Sequence, residues 1–100
     1  MKKEVFNQYA KRIADMFGIT MEQLFSKTRN RDIVDARYLL YYMCSTRPMQ
    51  LIYIQKFLEE NGYVTKHPPL IHGINIVTKR LREDADYRII VNKLKDSVTI

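Results

Sequence analysis

The feature that most constrains this chain is the spacing of its apolar residues, three and four apart along nearly its whole length and broken at residues that stop helices. That period belongs to α-helices with one buried face; strands alternate every second residue, and no such pattern competes here. Val5, Phe6, Tyr9, Ile13, Met16 and Phe17 form the first run and end at Gly18, a residue suited to the left-handed conformation just past a helix. Thr20 with Gln23 three places on has capping-box spacing, which predicts a short helical turn ahead of Leu24 and Phe25. The polar stretch from Ser26 to Arg31 then reads as a basic loop.

A second long helix is predicted from Asp32 to Ser45, with Ile33, Ala36, Leu40, Met43 and Cys44 as its apolar stripe and Tyr38, Tyr41 and Tyr42 flanking it. Pro48 is placed to open a third helix in which Leu51, Ile54 and Leu58 share a face, and Asn61 with Gly62 supplies the stop. Tyr63 to His67 reads as a connector. Pro69 fits the first turn of a fourth helix carrying Leu70, Ile74, Val77 and Leu81, with His72, Asn75, Lys79 and Arg82 on the polar face. Asp84 or Asp86 is suited to cap a last helix carrying Tyr87, Ile90, Val91 and Leu94, after which Asp96 to Ile100 is expected to fray. The tyrosines, Tyr53 included, are expected to pack in the core. The expected fold is all-α, one compact domain over residues 1–100 with five or six helices, the third and fourth arranged as a helix-turn-helix.

Composition narrows the functional classes. With 46% hydrophobic and 28% charged residues the chain reads as an ordinary globular domain and not a disordered tail. The longest apolar stretch, Tyr38 to Cys44, falls far short of the roughly 20 residues that cross a bilayer, and no signal-type segment opens the chain, so a soluble, cytoplasmic protein with no membrane partner is expected. Cys44 is alone, which excludes an internal disulfide, and His67 and His72 are five apart, which turns them to different helix faces and argues against a metal site. The three glycines are scattered and no Gly-Lys-Ser/Thr occurs, so no phosphate-binding loop, nucleotide or other cofactor is expected. Glu59 with Glu60 and Asp84 with Asp86 sit at helix ends, where carboxylates serve as ordinary end charges and caps. No nucleophile lies beside an activating base, and the chain is expected not to be an enzyme. Seventeen Lys and Arg against eleven Asp and Glu give a net charge of +6, which favours a polyanionic partner, nucleic acid ahead of a membrane surface.

The run from Phe17 to Arg31, continuing through Asp32-Ile33-Val34-Asp35-Ala36-Arg37-Tyr38, resembles the C-terminal DNA-binding domain of the DnaA family of bacterial replication initiators. A short helix, a Ser-Lys-x-Arg-x-Arg loop and an Arg a few residues into the next helix stand at that family's spacing. The resemblance continues through the segment from His67 to Ile74 and the closing Asp86-Tyr87-Arg88, so it covers Val5 to Leu94. It implies a double-stranded DNA partner, with Arg29 in the minor groove, Lys27 and Arg31 beside it, Arg37 on the DNA, and the stretch from Lys66 and His67 opening the major-groove helix. Guanidinium groups on a loop suit the narrow, electronegative minor groove. On the polar face, Asn75 has the chemistry to read adenine, while His72 and Lys79 are groove and phosphate candidates or plain solvent-facing residues. The chain departs from the family pattern at Lys66, which replaces an Asp, at Pro68 and Pro69, which replace two threonines, and in a longer connector before His67. The resemblance therefore implies the fold and general DNA affinity, and leaves the sequence read by the domain open. A stand-alone copy without the ATPase suits a phage, plasmid or mobile element that regulates replication or transcription. The alternative is a protein-protein interaction module on the same scaffold.

Overall fold

In the computed structural model, which describes residues 1–98, the chain forms six helices: α1 (Lys2–Phe17), α2 (Met21–Leu24), α3 (Arg31–Ser45), α4 (Leu51–Glu60), α5 (His67–Glu83) and α6 (Ala85–Ser97). No strand occurs among the described residues. The stops act as the sequence anticipates. Gly18 takes φ 67°, and the backbone amides that follow α1 turn back to the carbonyls of Ala14 and Asp15. Thr20 and Gln23 close a reciprocal capping box, with Gln23 N donating to Thr20 Oγ1 at 3.0 Å and Thr20 N donating to Gln23 Oε1 at 2.9 Å. Gly62, at φ 87°, ends the α4 turn.

α3 is the central helix. It packs against α1 on one side and α5 on the other, and its Leu39, Leu40, Met43 and Cys44 are sealed from solvent. Each aliphatic side chain buried in this way contributes about 1.5–3 kcal/mol. Phe6 of α1 meets Phe25 at 6.1 Å and Phe57 of α4 at 5.5 Å, so one aromatic cluster joins three elements. α5 crosses α3 at Gly73, where a Cβ would stand 2.6 Å from Tyr38 Cδ1 and 2.9 Å from Tyr41 Cδ2. Only glycine allows that approach, and it sets how deeply α5 sits against the domain. Burial also pushes the Cys44 thiol far up from its ordinary range, which leaves it a small apolar core residue.

Several boundaries differ from the sequence reading. Pro48 does not open the third helix. The chain turns through Thr46 to Pro48, plants Met49 in the core, and starts α4 only at Leu51, after an extended Gln50. Arg31 belongs to the first turn of α3, because Asn30 caps that helix by accepting from the amides of Asp32 and Ile33. His67 opens α5 and does not close the connector. Tyr53 and Ile90 are 38% and 44% exposed. Ile90 misses the core because α6 buries a stripe spaced four, three and four through Tyr87, Val91, Leu94 and Val98, and one residue's step rotates a side chain by about 100°. Met16, 44% exposed, lines a surface cleft with Ile90 between α1 and α6. Asp96 and Ser97 remain helical, and Val98 is buried with its carbonyl bound by Arg47, so the fraying expected from Asp96 does not begin there. Thr99 and Ile100 lie outside the described residues.

Candidate nucleic-acid interface

The polar stretch between α2 and α3 is short of hydrogen bonds within itself, and its carbonyls are gathered by one side chain. Arg37, on α3, is 4% exposed and sends its guanidinium under the loop. Nη1 donates to Ser26 O at 2.7 Å and to Leu24 O at 3.4 Å, and Nη2 donates to Thr28 O at 3.1 Å. Nε is buried without a hydrogen-bond partner. The resemblance implied Arg37 on the DNA; in the structure its guanidinium is buried and turned to the loop carbonyls. A position in the second turn of α3 faces the loop's underside, and a buried cation is compensated there by carbonyl dipoles.

Lys27 is also engaged. Its ammonium donates to Val64 O and lies 4.4 Å from the centre of the Tyr63 ring, whose other cation neighbour is the Arg37 guanidinium at 4.7 Å. Tyr63 thus ties the connector between α4 and α5 to the basic loop. Tyr41 lies close to both Tyr63 and Arg37. Burial pushes its phenol well above the ordinary tyrosine range, Tyr63 adds to that rise and Arg37 opposes it, so the hydroxyl stays protonated. Sequence reasoning missed Tyr63. The one signal available was an aromatic residue immediately after the helix-stopping Gly62 in an otherwise polar connector.

At the entrance to α5, Lys66 stands in extended conformation without a side-chain cap. Pro68 and Pro69 carry no amide hydrogen, so fewer donors at this helix start need a cap, and fewer are available to an anion. His67 Nε2 lies 3.0 Å from Gln55 Oε1, and Gln55 Nε2 donates to Thr65 O at 2.8 Å. Because the Gln55 amide nitrogen donates to Thr65, its oxygen is the atom that faces His67 and accepts from Nε2. Gln55 is the second residue that the sequence reading did not single out.

The remaining candidates are exposed. Arg29 and Arg31 flank the loop's end, and His72, Asn75 and Lys79 run along one face of α5. His72 meets the edge of Tyr38 at 5.7 Å, and Tyr38 lines a cleft of about 250 Å³ together with Lys27, Arg29, Arg37, Tyr63 and Pro69. The loop, the connector and the first turns of α5 therefore form one continuous surface. Arg29, Arg31, Lys66 and Lys79 make no ion pair among the described residues, whereas Arg80 approaches Asp35 at 3.9 Å and lies 5.1 Å from the Tyr87 ring centre. Burial raises the Tyr87 phenol, and the neighbouring Arg80 opposes that shift.

No known family profile matches the chain, and no solved structure matches it. Among curated proteins, it is 32% identical over 103 residues to the chromosomal replication initiator protein DnaA of Nautilia profundicola. The match takes in 99% of this chain and 22% of that protein. The chain is thus similar, nearly end to end, to about a fifth of a DnaA protein, and to that extent it is DnaA-like.

Proposed function

We propose that this chain is a non-enzymatic module that binds double-stranded DNA through the loop and α5, and that it acts in the control of replication or transcription. The observation that carries the reading is the cleft shared by the loop, the connector and the start of α5, lined by Arg29, Tyr63 and Pro69, together with Arg31, Lys66 and Lys79, which are exposed and without ion pairs among the described residues. Cations left free of carboxylates are available to phosphates, and each phosphate neutralised releases counterions. The likeness to a replication initiator supports the same reading from an independent direction. In it, α4 and α5 act as the helix-turn-helix, with α5 in the major groove and Arg29 in the minor groove. Arg37 supports the loop from beneath, and the exposed Lys27 fastens it to the connector. Of the tyrosines that would mark a protein-interaction surface, Tyr41 is buried, Tyr38 and Tyr42 are half-buried and Tyr53 is 38% exposed, so the four do not form one exposed patch.

Fluorescence anisotropy with a random duplex and a duplex bearing the initiator's recognition sequence, across a salt series, tests this reading. Four free cations predict a slope of log affinity against log salt of about −4, and Arg29→Ala should lower it by about 1. Absence of duplex binding at low salt would overturn the proposal. Preference for the initiator sequence, lost in His67→Ala, would extend it to specific recognition.

A further inference from the structure

We infer that Tyr63 is a positioning residue that holds the basic loop in a single conformation and locks it to the entrance of α5. The inference rests on the DNA-binding reading for its purpose and on geometry for its substance. Two cations from different elements lie over the Tyr63 ring, Lys27 of the loop at 4.4 Å and Arg37 of α3 at 4.7 Å from its centre. Both cations also bind backbone carbonyls, Lys27 that of Val64 and Arg37 those of Leu24, Ser26 and Thr28. The loop, α3 and the connector are therefore closed into a ring of contacts with Tyr63 at its centre.

Two segments that contact one duplex need a fixed separation, because each rotamer or loop state frozen on binding weakens association. Arg37 fixes the loop relative to α3. Its hydrogen bonds go to the loop and to α2, and its contact with the connector is the Tyr63 ring, while the loop's own Lys27 meets the connector at Tyr63 and at Val64 O. Tyr63 is also the side chain next to the left-handed Gly62, so its direction is set by a turn that no other residue type adopts as easily. The length of the connector, six residues from Asn61 to Lys66, thereby gains a use: it carries an aromatic face back across to the basic loop.

The test compares Tyr63→Phe, which keeps the ring face, with Tyr63→Leu, which keeps apolar bulk and loses the π face. Amide hydrogen exchange of the DNA-free protein reads loop order, and anisotropy with a random duplex reads binding. In Tyr63→Leu, the amides of Ser26 and Asn30, which donate to Gln23 O and Thr28 Oγ1, should exchange about five- to tenfold faster, with duplex affinity down by about fivefold. Tyr63→Phe should match the unaltered chain in both, and core amides of α1 and α3 should be unchanged in either variant. Unchanged loop exchange in Tyr63→Leu would overturn the clamp, as would equal loosening by Tyr63→Phe. Loosened loop exchange with unchanged affinity would overturn the binding half of the inference. Failure of the unaltered chain to bind any duplex would instead overturn the DNA reading and the binding half with it, while the exchange comparison still decides the clamp.

Discussion

Two junctions of this molecule solve the same problem with the same residue type and differ in where they put it. Between α2 and α3, the guanidinium of Arg37 collects the carbonyls of Leu24, Ser26 and Thr28. Between α5 and α6, the guanidinium of Arg88 collects those of Leu81, at 2.6 Å, and Arg82, at 3.4 Å. Arg37 is 4% exposed, and Arg88 lies in the open. Water substitutes at once for a lost partner at the second junction and is excluded from much of the first. The α5–α6 junction also has a local fastening, the Asp84 side chain accepting from Tyr87 N at 3.1 Å. The loop before α3 has short-range bonds at its two ends, Ser26 to Gln23 O and Asn30 N to Thr28 Oγ1, while the carbonyls of Leu24, Ser26 and Thr28 are held by Arg37, nine to thirteen residues on. Carbonyl capture by arginine thus shapes the first junction and only trims the second.

Replacement of the buried arginine should have the largest effect. Arg37→Met keeps most of the aliphatic volume and leaves three carbonyls without their donor, one of them fully buried. Hydrogen bonds to a charged group contribute about 1.5–3 kcal/mol each where one partner stays buried, and partial hydration of Ser26 O and Thr28 O reduces the sum to about 3 kcal/mol. For a domain of this size that corresponds to a fall in melting temperature of roughly 15–20 °C by calorimetry. A shift under about 4 °C would show that the loop carbonyls are satisfied without Arg37, and the contrast between the two junctions would collapse.

The difference between the junctions also explains what the sequence disclosed. Helices appear in it because each long run carries its own period and its own stop, as in Gly18, Asn61 with Gly62, and Asp84, all of which act locally. The basic loop was legible as a loop and as basic. The sorting of its cations was not, because Lys27 and Arg29 are two residues apart with similar chemistry, and Lys27 is engaged by Tyr63 and Val64, 36 and 37 residues on in sequence, while Arg29 makes no ion pair among the described residues. The burial of Arg37 was not legible for a related reason. An arginine on an amphipathic helix reads as surface unless one knows that the preceding loop folds over it. Ile90 marks the limit for packing: a helix at the edge of the domain buries a narrow stripe, and periodicity alone does not give its width.

The next effect in size sharpens the comparison at the exposed junction. Asp84→Ala removes the cap of α6 while leaving the Arg88 contacts to α5 in place, and loss of an N-cap carboxylate costs about 1 kcal/mol. Thermal denaturation should register a fall of roughly 4–8 °C, with hydrogen exchange accelerated at Tyr87 and its neighbours in the first turn of α6 and unaltered in α3. Equal acceleration in α3 would mean that α6 folds as one unit with the centre of the domain, and that its fastening is not local.

Arg88→Ala carries the smallest effect and the clearest contrast with Arg37. The carbonyls of Leu81 and Arg82 are among the last of α5, where a cation is favoured by the helix dipole, yet both lie where water reaches them once the side chain is gone. Surface changes of this kind fall within about 0.5 kcal/mol, so the melting temperature should move by no more than roughly 2–4 °C. Combining Arg88→Ala with Asp84→Ala then gives the coupling between the two fastenings of this junction. If Asp84 sets the start of α6 and Arg88 only covers the end of α5, the two losses add to within about 0.5 kcal/mol. A double variant markedly less stable than that sum would show each fastening covering for the other, which would make the exposed junction as cooperative as the buried one.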